Sequence, residues 1–303
     1  MLRLLLRPRE SFGGVSPGAA TAQVLARADR STGAPGWRAQ LQRNFQLVPS
    51  LLPVAPLTRQ LDCGDASLDQ WLRADPAHVR ADMSTARLMA CGELGLDAAE
   101  AAQLLRPLKP LFGDSGFPIS APVPQRWYLQ VPKNAQLPAF ADPHEAMGAP
   151  LDQYLPEGDA GRRWRHLLNE AQVILHNHPL NQERVAQGRL PVNSLWFWGG
   201  GALPDSVRAP YAAVHSGDLL LRALAEAACI SVHEPAPRFA ADAGEALLDL
   251  RDLVDAAALE REWLAPALQA GVELQLDFGD GTLVHWQRAH RWRLWRRPRR
   301  SFD

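Results

Sequence analysis

Between Asn169 and Gly201 the chain reads NEAQVILHNHPLNQERVAQGRLPVNSLWFWGGG. His178, Asn181, Arg184 and Asn193 bring an imidazole, two amides and a guanidinium close to three glycines. Such groups near a glycine-rich turn suit a phosphorylated or carboxylated ligand, because amide and guanidinium N–H groups pair with anionic oxygens. Glycine also lets a backbone come close to a ligand. The competing account is structural: Asn and Gly cap and turn the chain while Trp196 and Trp198 fill the core. Composition alone favours that account.

Asp75, His78 and Asp82 form a second group. On a helix, His78 and Asp82 would share a face and could bind a divalent metal. Asp75-Pro76 equally reads as an ordinary helix start, with Asp75 as the cap, and this reading is preferred to a metal site. The C-terminal stretch is the third feature: Trp286, Arg288, His290, Arg291, Trp292, Arg293, Trp295, Arg296, Arg297, Arg299 and Arg300 interleave rings with cations. It could track phosphates and stack bases. An edge strand with Trp292 and Leu294 turned inward is the simpler reading. For nucleophilic or nucleotide chemistry the signals are missing: there is no GxSxG, GxGxxG or P-loop.

The elements that must position these residues follow from periodicity. Leu2–Leu6 reads as a first strand and Ala20–Arg30 as a short helix. Asn44–Leu57, with three prolines, reads as extended. Asp65–Leu72, Asp82–Leu94 and Asp97–Leu108 carry helical spacing, the last behind the cap candidate Asp97. Five prolines from Pro107 to Pro124 then break the chain. Trp127–Val131 is a strand candidate. In Arg162–His178, Trp164, Leu167, Leu168, Ala171, Ile174 and Leu175 recur at three- and four-residue steps, the strongest helix signal. A charged linker, Asn181–Leu190, leads to the strand Val192–Trp198. Asp218–Ala228 is helical, Cys229–His233 a short strand and Leu247–Leu268 one or two helices. Val272–Phe278 and Leu283–Trp295 around Asp280-Gly281 read as a hairpin. The expected fold is α/β, with a helical insert at about 65–110 and a C-terminal β-hairpin over 272–295. It is read as a single domain over 1–303, with a possible subdivision into 1–125 and 126–303.

Length and composition bound the function. With 303 residues and 47% apolar residues the chain can bury a sizeable core and is not a disordered protein. Its net charge of -1 combines two signs. Residues 288–303 hold seven arginines and one aspartate, a net of +6, and the remaining 25 basic and 32 acidic residues give -7. A generally basic, nucleic-acid-coated surface is therefore excluded, and a nucleic-acid partner is not expected. All but Lys109 and Lys133 of the 32 basic residues are arginine, so no arginine stands out by type. Cys63, Cys91 and Cys229 are sparse and unpatterned, as in a reduced compartment. No apolar run suits a signal peptide or a membrane span, so a cytoplasmic location without a membrane partner is expected.

The stretch HPLN, then Arg184, Gly188, PVN and a glycine-rich end resembles archaeal-type cofactor-independent phosphoglycerate mutases over about 35 residues. ADPAHVRADM at 74–83, PQRWYLQVP at 124–132, NEAQVILHNHPLN and PVNSLWFWGGG are more closely similar to a proteobacterial family. That family comprises regulatory proteins of the Rpf pathogenicity cluster, type E, and the likeness runs from about Asn44 to Trp295. The resemblance implies an alkaline-phosphatase-like core and phosphoryl-group recognition, with His178, Asn181, Arg184 and Asn193 as ligand contacts; Asp75 and His78 are added as candidates from their own cluster. Where the mutase pattern ends in Arg-Gly, this chain has Trp198-Gly199. It also lacks the Asp-Gly metal motif after its first strand and the Gly-Asp-His or Asp-x-x-x-His patterns near its C-terminus. The expectation is a mutase-related, regulatory protein that binds a small phosphorylated or carboxylated ligand and needs no cofactor. An active phosphomutase or phosphatase, with Mn or Zn, and a nucleic-acid-binding regulator using the tail are the alternatives.

Overall fold

Leu2–Leu6 is buried almost throughout, and a strand stays dry on both faces only when it has neighbours on both edges and cover on both sides. The computed structural model, which describes residues 1–13, 16–66, 69–82, 85–240, 244–297 and 302, places it centrally in a seven-stranded sheet. The strand order is 231–233, 213–215, 246–249, 2–6, 274–278, 282–286 and 29–32. The first five run parallel; 282–286 and 29–32 add antiparallel at one edge. The core of this unit, Met1–Leu52 with Pro204–Asp303, joins Leu2, Leu4 and Leu6 to Val24 and Leu25 of the helix Ala19–Arg27. Leu259, Trp263 and Leu264 of a π-helical turn complete it.

Pro53–Leu203 is the other compact unit, and residue 125 lies inside it. Its organising element is the strand Gln70–Ala81. One edge pairs along its length with Ser194–Gly201; the other pairs first with Arg126–Val131 and then with Ala86–Cys91, all antiparallel. Ile119–Val123 completes the sheet beyond Arg126–Val131. The helices Ala98–Asp114 and Gly158–His176 bury Leu104, Leu105, Leu108, Phe112, Trp164, Leu167, Leu168 and Leu175 in this unit's core.

The helical insert expected at 65–110 is corrected in its first two thirds: Gln70–Ala81 and Ala86–Cys91 are strands. Seven consecutive residues, Trp71 to Ala77, are buried, so the strand shows no alternation to read. Pro76, with no N–H to give, sits where one edge changes partner between Arg73↔Tyr128 and Ala77↔Cys91. The third helix does form, behind a capping box of Asp97 and Glu100. It runs through Pro107 and Pro110 to Asp114. Burying Leu104, Leu105, Leu108 and Phe112, at about 1.5–3 kcal/mol each, offsets the roughly 3 kcal/mol that each of the two mid-helix prolines costs.

Prolines misled in two more places. Val54–Cys63 is a helix because Pro53 and Pro56 fall at its cap and first turn, where N–H groups have no partner in any case. Likewise Pro179 opens the helix Pro179–Ala186 where a linker was expected. Leu247–Leu268 begins as the strand Ala246–Asp249 before turning helical from Ala256. The hairpin strands are Leu274–Phe278 and Thr282–Trp286, and a 3-10 turn, Arg288–Trp292, follows. The neighbouring strand ends at the pair His285↔Asp29, so beyond it there is no edge to extend. Trp292 and Leu294 are exposed, not turned inward; Arg299 and Arg300 lie outside the described residues. Among the described residues no helix is long and apolar enough to cross a membrane.

Candidate functional site

Three of the expected ligand residues grip three consecutive residues of the chain, Leu190 to Val192, and a fourth, Asn193, follows them and reaches Val79. Arg184 donates through Nε to the carbonyl of Leu190 at 3.0 Å. His78 Nδ1 lies 3.0 Å from the carbonyl of Pro191. Asn181 closes a two-way bond with Val192, donating to its carbonyl and accepting from its N–H, both at 2.8 Å. Asn193 does the same with Val79, again at 2.8 Å. These bonds seat the entry of the strand Ser194–Gly201 against Gln70–Ala81. His178 stands elsewhere: it caps the helix Pro179–Ala186, its Nδ1 accepting from Leu180 N at 3.2 Å. The three glycines serve close packing. A Cβ on Gly199 would meet Val54 at 2.8 Å and one on Gly201 would meet Pro53 at 2.9 Å, so they admit the start of the helix Val54–Cys63.

Asp75 is 2% exposed and belongs to a second network. Its carboxylate accepts from Arg73 Nε at 2.9 Å and Nη2 at 2.8 Å, from Trp198 Nε1 at 2.7 Å and from the N–H of Trp127 at 3.2 Å. The Trp198 indole is thus a hydrogen-bond donor to a buried carboxylate. Arg73 lies 5.3 Å from the ring centres of both Tyr128 and Trp198. Tyr128 donates to Asp62 at 2.6 Å, and Arg126 holds Asp62 with two bonds at 2.9 and 2.7 Å. Burial pushes the Asp62 carboxyl up, but Arg126 and Tyr128 outweigh it and hold it below the ordinary range. Asp82 pairs with Arg87 at 3.2 Å, on a strand-end turn and not on a helix with His78.

Sequence reading missed Arg59. On the helix Val54–Cys63 it is 8% exposed, bonds both oxygens of Asp65 at 2.6 Å and donates to Ser120 Oγ at 2.9 Å. Its guanidinium lies 4.4 Å from the Trp71 ring centre. Arg59 and Ser120 border a hollow of about 430 Å³ whose wall is one stripe of the helix Ala98–Asp114: Ala98, Ala101, Ala102, Leu105 and Lys109. That size lies in the range of small-molecule sites, and mostly apolar walls with a few polar groups are their usual character. Arg184 holds this helix from below, donating to Glu100 at 2.9 Å and to the carbonyl of Leu94 at 2.6 Å. No local pattern marks Arg59 among thirty arginines; only the fold brings it to Ser120.

In the other unit, polar groups gather at the carboxyl ends of 213–215, 231–233 and 246–249, where open α/β sheets bind ligands. Arg251 bonds both oxygens of Asp249 at 2.7 and 2.8 Å and lies 3.3 Å from Asp218. Ser216 donates to Asp249 at 2.7 Å, and Asp218 caps the helix Leu219–Ala227. The His215 and His233 rings stack at 4.9 Å. These carboxylates are taken up by Arg251, Ser216 and the helix end, and among the described residues no three His, Cys, Asp or Glu side chains form a group that could hold a metal. The donor set does not fit a two-metal centre.

This arrangement makes the fold acid-sensitive. Burial, and then the neighbouring His233, lower the His215 pKa below its ordinary 6.5. Burial and Arg293 do the same to His290. A lowered folded-state pKa means the native state binds fewer protons, so this stability is present above about pH 6.5 and is lost as pH falls. Asp62 and Asp249 are held below the ordinary 3.8, so their contribution vanishes only under stronger acid. The expected melting temperature is flat near neutrality, declines below about pH 6.5 and drops steeply below about pH 4. A rise on acidification from neutrality would contradict this assignment.

No protein-family model matches the chain. It is 31% identical over 110 residues to a probable 2,3-bisphosphoglycerate-independent phosphoglycerate mutase of Geobacter sulfurreducens, covering 36% of this chain and 27% of the relative. Over 62 residues it is 42% identical to the corresponding mutase of Methanosarcina mazei, covering 20% of this chain and 16% of the relative. The matched stretches therefore span about a quarter or less of these relatives' own length. Among solved structures, the cofactor-independent phosphoglycerate mutase of Thermoplasma acidophilum aligns with a TM-score of 0.42 at 18% identity, covering 94% of this chain and 89% of its own. A Pyrococcus horikoshii protein aligns with a TM-score of 0.43 at 14% identity, covering 94% of this chain and 87% of its own.

Proposed function

We propose that this phosphoglycerate-mutase-related chain is a cytoplasmic regulatory protein, of the kind the Rpf-cluster likeness implies, that binds a small phosphorylated or carboxylated ligand without turning it over. The observation that carries the reading is the hollow of about 430 Å³ bordered by Arg59, Lys109 and Ser120. Asp65 neutralises Arg59, so the exposed ammonium of Lys109 leaves the hollow with net positive character. An acidic metabolite would place its anionic oxygens toward Lys109 and Ser120 and its carbon skeleton against Ala101 and Leu105. In this reading His78, Asn181, Arg184 and Asn193 are positioning residues: they build the sheet and hold the helix that walls the hollow.

Calorimetric titration with 3-phosphoglycerate and with inorganic phosphate tests it. Binding is expected in the parent, and Lys109→Glu should lose one charge-assisted contact, about 1.5–3 kcal/mol or roughly tenfold or more in affinity, at unchanged melting temperature. A parent that binds neither probe sinks the proposal. The metal-dependent mutase or phosphatase reading draws its support from the relatives' names, and the engaged Asp249 and Asp218 weigh against it. Conversion of 3- to 2-phosphoglycerate with added Mn²⁺ or Zn²⁺ would establish that reading instead.

A further inference from the structure

Trp292, Leu294 and Trp295 are 66%, 69% and 75% exposed, an unusual concentration of large apolar side chains for four residues of a folded surface. The segment bearing them is anchored. His290, 3% exposed, lies 3.3 Å from Asp29 and edge-on to Trp286 at 5.9 Å. Arg293 donates to the carbonyl of Arg27 at 3.0 Å, Arg296 to that of Ala28 at 3.0 Å, and Arg27 to that of Arg291 at 2.9 Å. The backbone is therefore tied down while the apolar side chains point away. Arg288, Arg291 and Arg297, also exposed, flank them in the chain.

We infer that this tip docks on an anionic lipid bilayer surface, with Trp292, Leu294 and Trp295 entering the headgroup region and the arginines pairing with lipid phosphates. Two observations select this occupant. Leu294 between two indoles offers no ring for a base to stack on, and Arg291 already covers the Trp292 ring at 4.8 Å, which disfavours a single-stranded nucleic acid. Residues 288–297 hold five arginines and no acidic residue, so an anionic plane attracts this segment. Tryptophan prefers the membrane–water interface, and surface attachment needs no spanning helix.

Co-sedimentation of the full chain with vesicles of phosphatidylcholine alone, or with equal parts phosphatidylglycerol, tests this. Binding is expected on the anionic vesicles, weak on the neutral ones and suppressed by salt. Arg291→Gln with Arg297→Gln should weaken it roughly 30-fold, from about 1 kcal/mol per arginine. Trp292→Ser with Trp295→Ser should weaken it about tenfold or more. Both pairs are exposed, so unchanged melting confirms that the fold is intact. The inference is overturned if the parent ignores anionic vesicles or the tryptophan variant binds as the parent does. Tight binding of a thymidine oligonucleotide without vesicle binding, or a parent dimer that these substitutions dissociate, overturns it too. Phosphate binding in the Lys109 hollow is read separately and does not depend on the result.

Discussion

Replacing Asp75 with alanine is expected to destabilise the fold by about 3–5 kcal/mol, because the change strips the buried Arg73 guanidinium of its bonded carboxylate. The side chains of the pair are 7% and 2% exposed, so water cannot take over. The indole N–H of Trp198 and the main-chain N–H of Trp127 lose their acceptor in the same stroke. Asp75→Asn keeps an acceptor for Trp198 but not the charge, and should still cost more than 2 kcal/mol by the same argument. Adding Arg73→Met to Asp75→Asn removes the stranded cation. The double variant should therefore recover part of the loss, with a coupling of about 1–3 kcal/mol in a double-mutant cycle. Urea midpoints report each step. A ligand role for Asp75 would give the opposite pattern, with little change in stability and lost phosphate binding. A cost below about 1 kcal/mol for Asp75→Ala would remove the structural account.

The same strand explains what the sequence could and could not disclose. Ala98–Asp114 and Gly158–His176 were legible because each presents one apolar stripe to one core, and Asp97 announces the first with its capping box. The two strands meeting at Asp280-Gly281 were legible from the alternation in the first and the turn, and Leu2–Leu6 from its short apolar run. Gln70–Ala81 was not. Its polar residues look like a cap and a turn, yet Arg73 and Asp75 satisfy each other across one residue, and Pro76 sits where one edge changes partner. Pairing of its first eight residues with partners more than fifty positions away decided that segment, and local propensity carries no record of it. The cluster from His178 to Asn193 was visible as a cluster because its members are close in sequence. Their roles were hidden because several of their partners are main-chain groups of Val79 and Leu94. Arg59, Ser120 and Lys109 share no sequence neighbourhood at all, so the hollow they border appears only in three dimensions.

Arg184→Ala is expected to be the second severe variant, at about 3 kcal/mol or more, whereas Arg189→Ala should cost under about 1 kcal/mol. Both arginines bond Glu100, at 2.9 Å from Arg184 and at 2.7 and 2.8 Å from Arg189. They differ in surroundings: the Arg184 side chain is 1% exposed and that of Arg189 is 37% exposed. Water can replace Arg189 at Glu100, but nothing replaces Arg184 at the carbonyls of Leu94 and Leu190. Arg184→Lys keeps the charge and loses the fork that reaches three acceptors at once, so it should fall between these two, at roughly 1–3 kcal/mol. Burial pushes the Glu100 carboxyl up, but Arg189, the Asp97 N–H and Arg184 hold it below its ordinary 4.5, so the clamp is intact above that pH and weakens as acid protonates it. The measurement that decides Arg184's role pairs denaturation with phosphate titration at a temperature where the variant stays folded. A structural clamp predicts lost stability and binding within a few-fold of the parent. Unchanged stability with abolished binding would instead make Arg184 the ligand contact that the mutase resemblance implies, and would move the binding site from the Lys109 hollow to the Leu190–Asn193 turn.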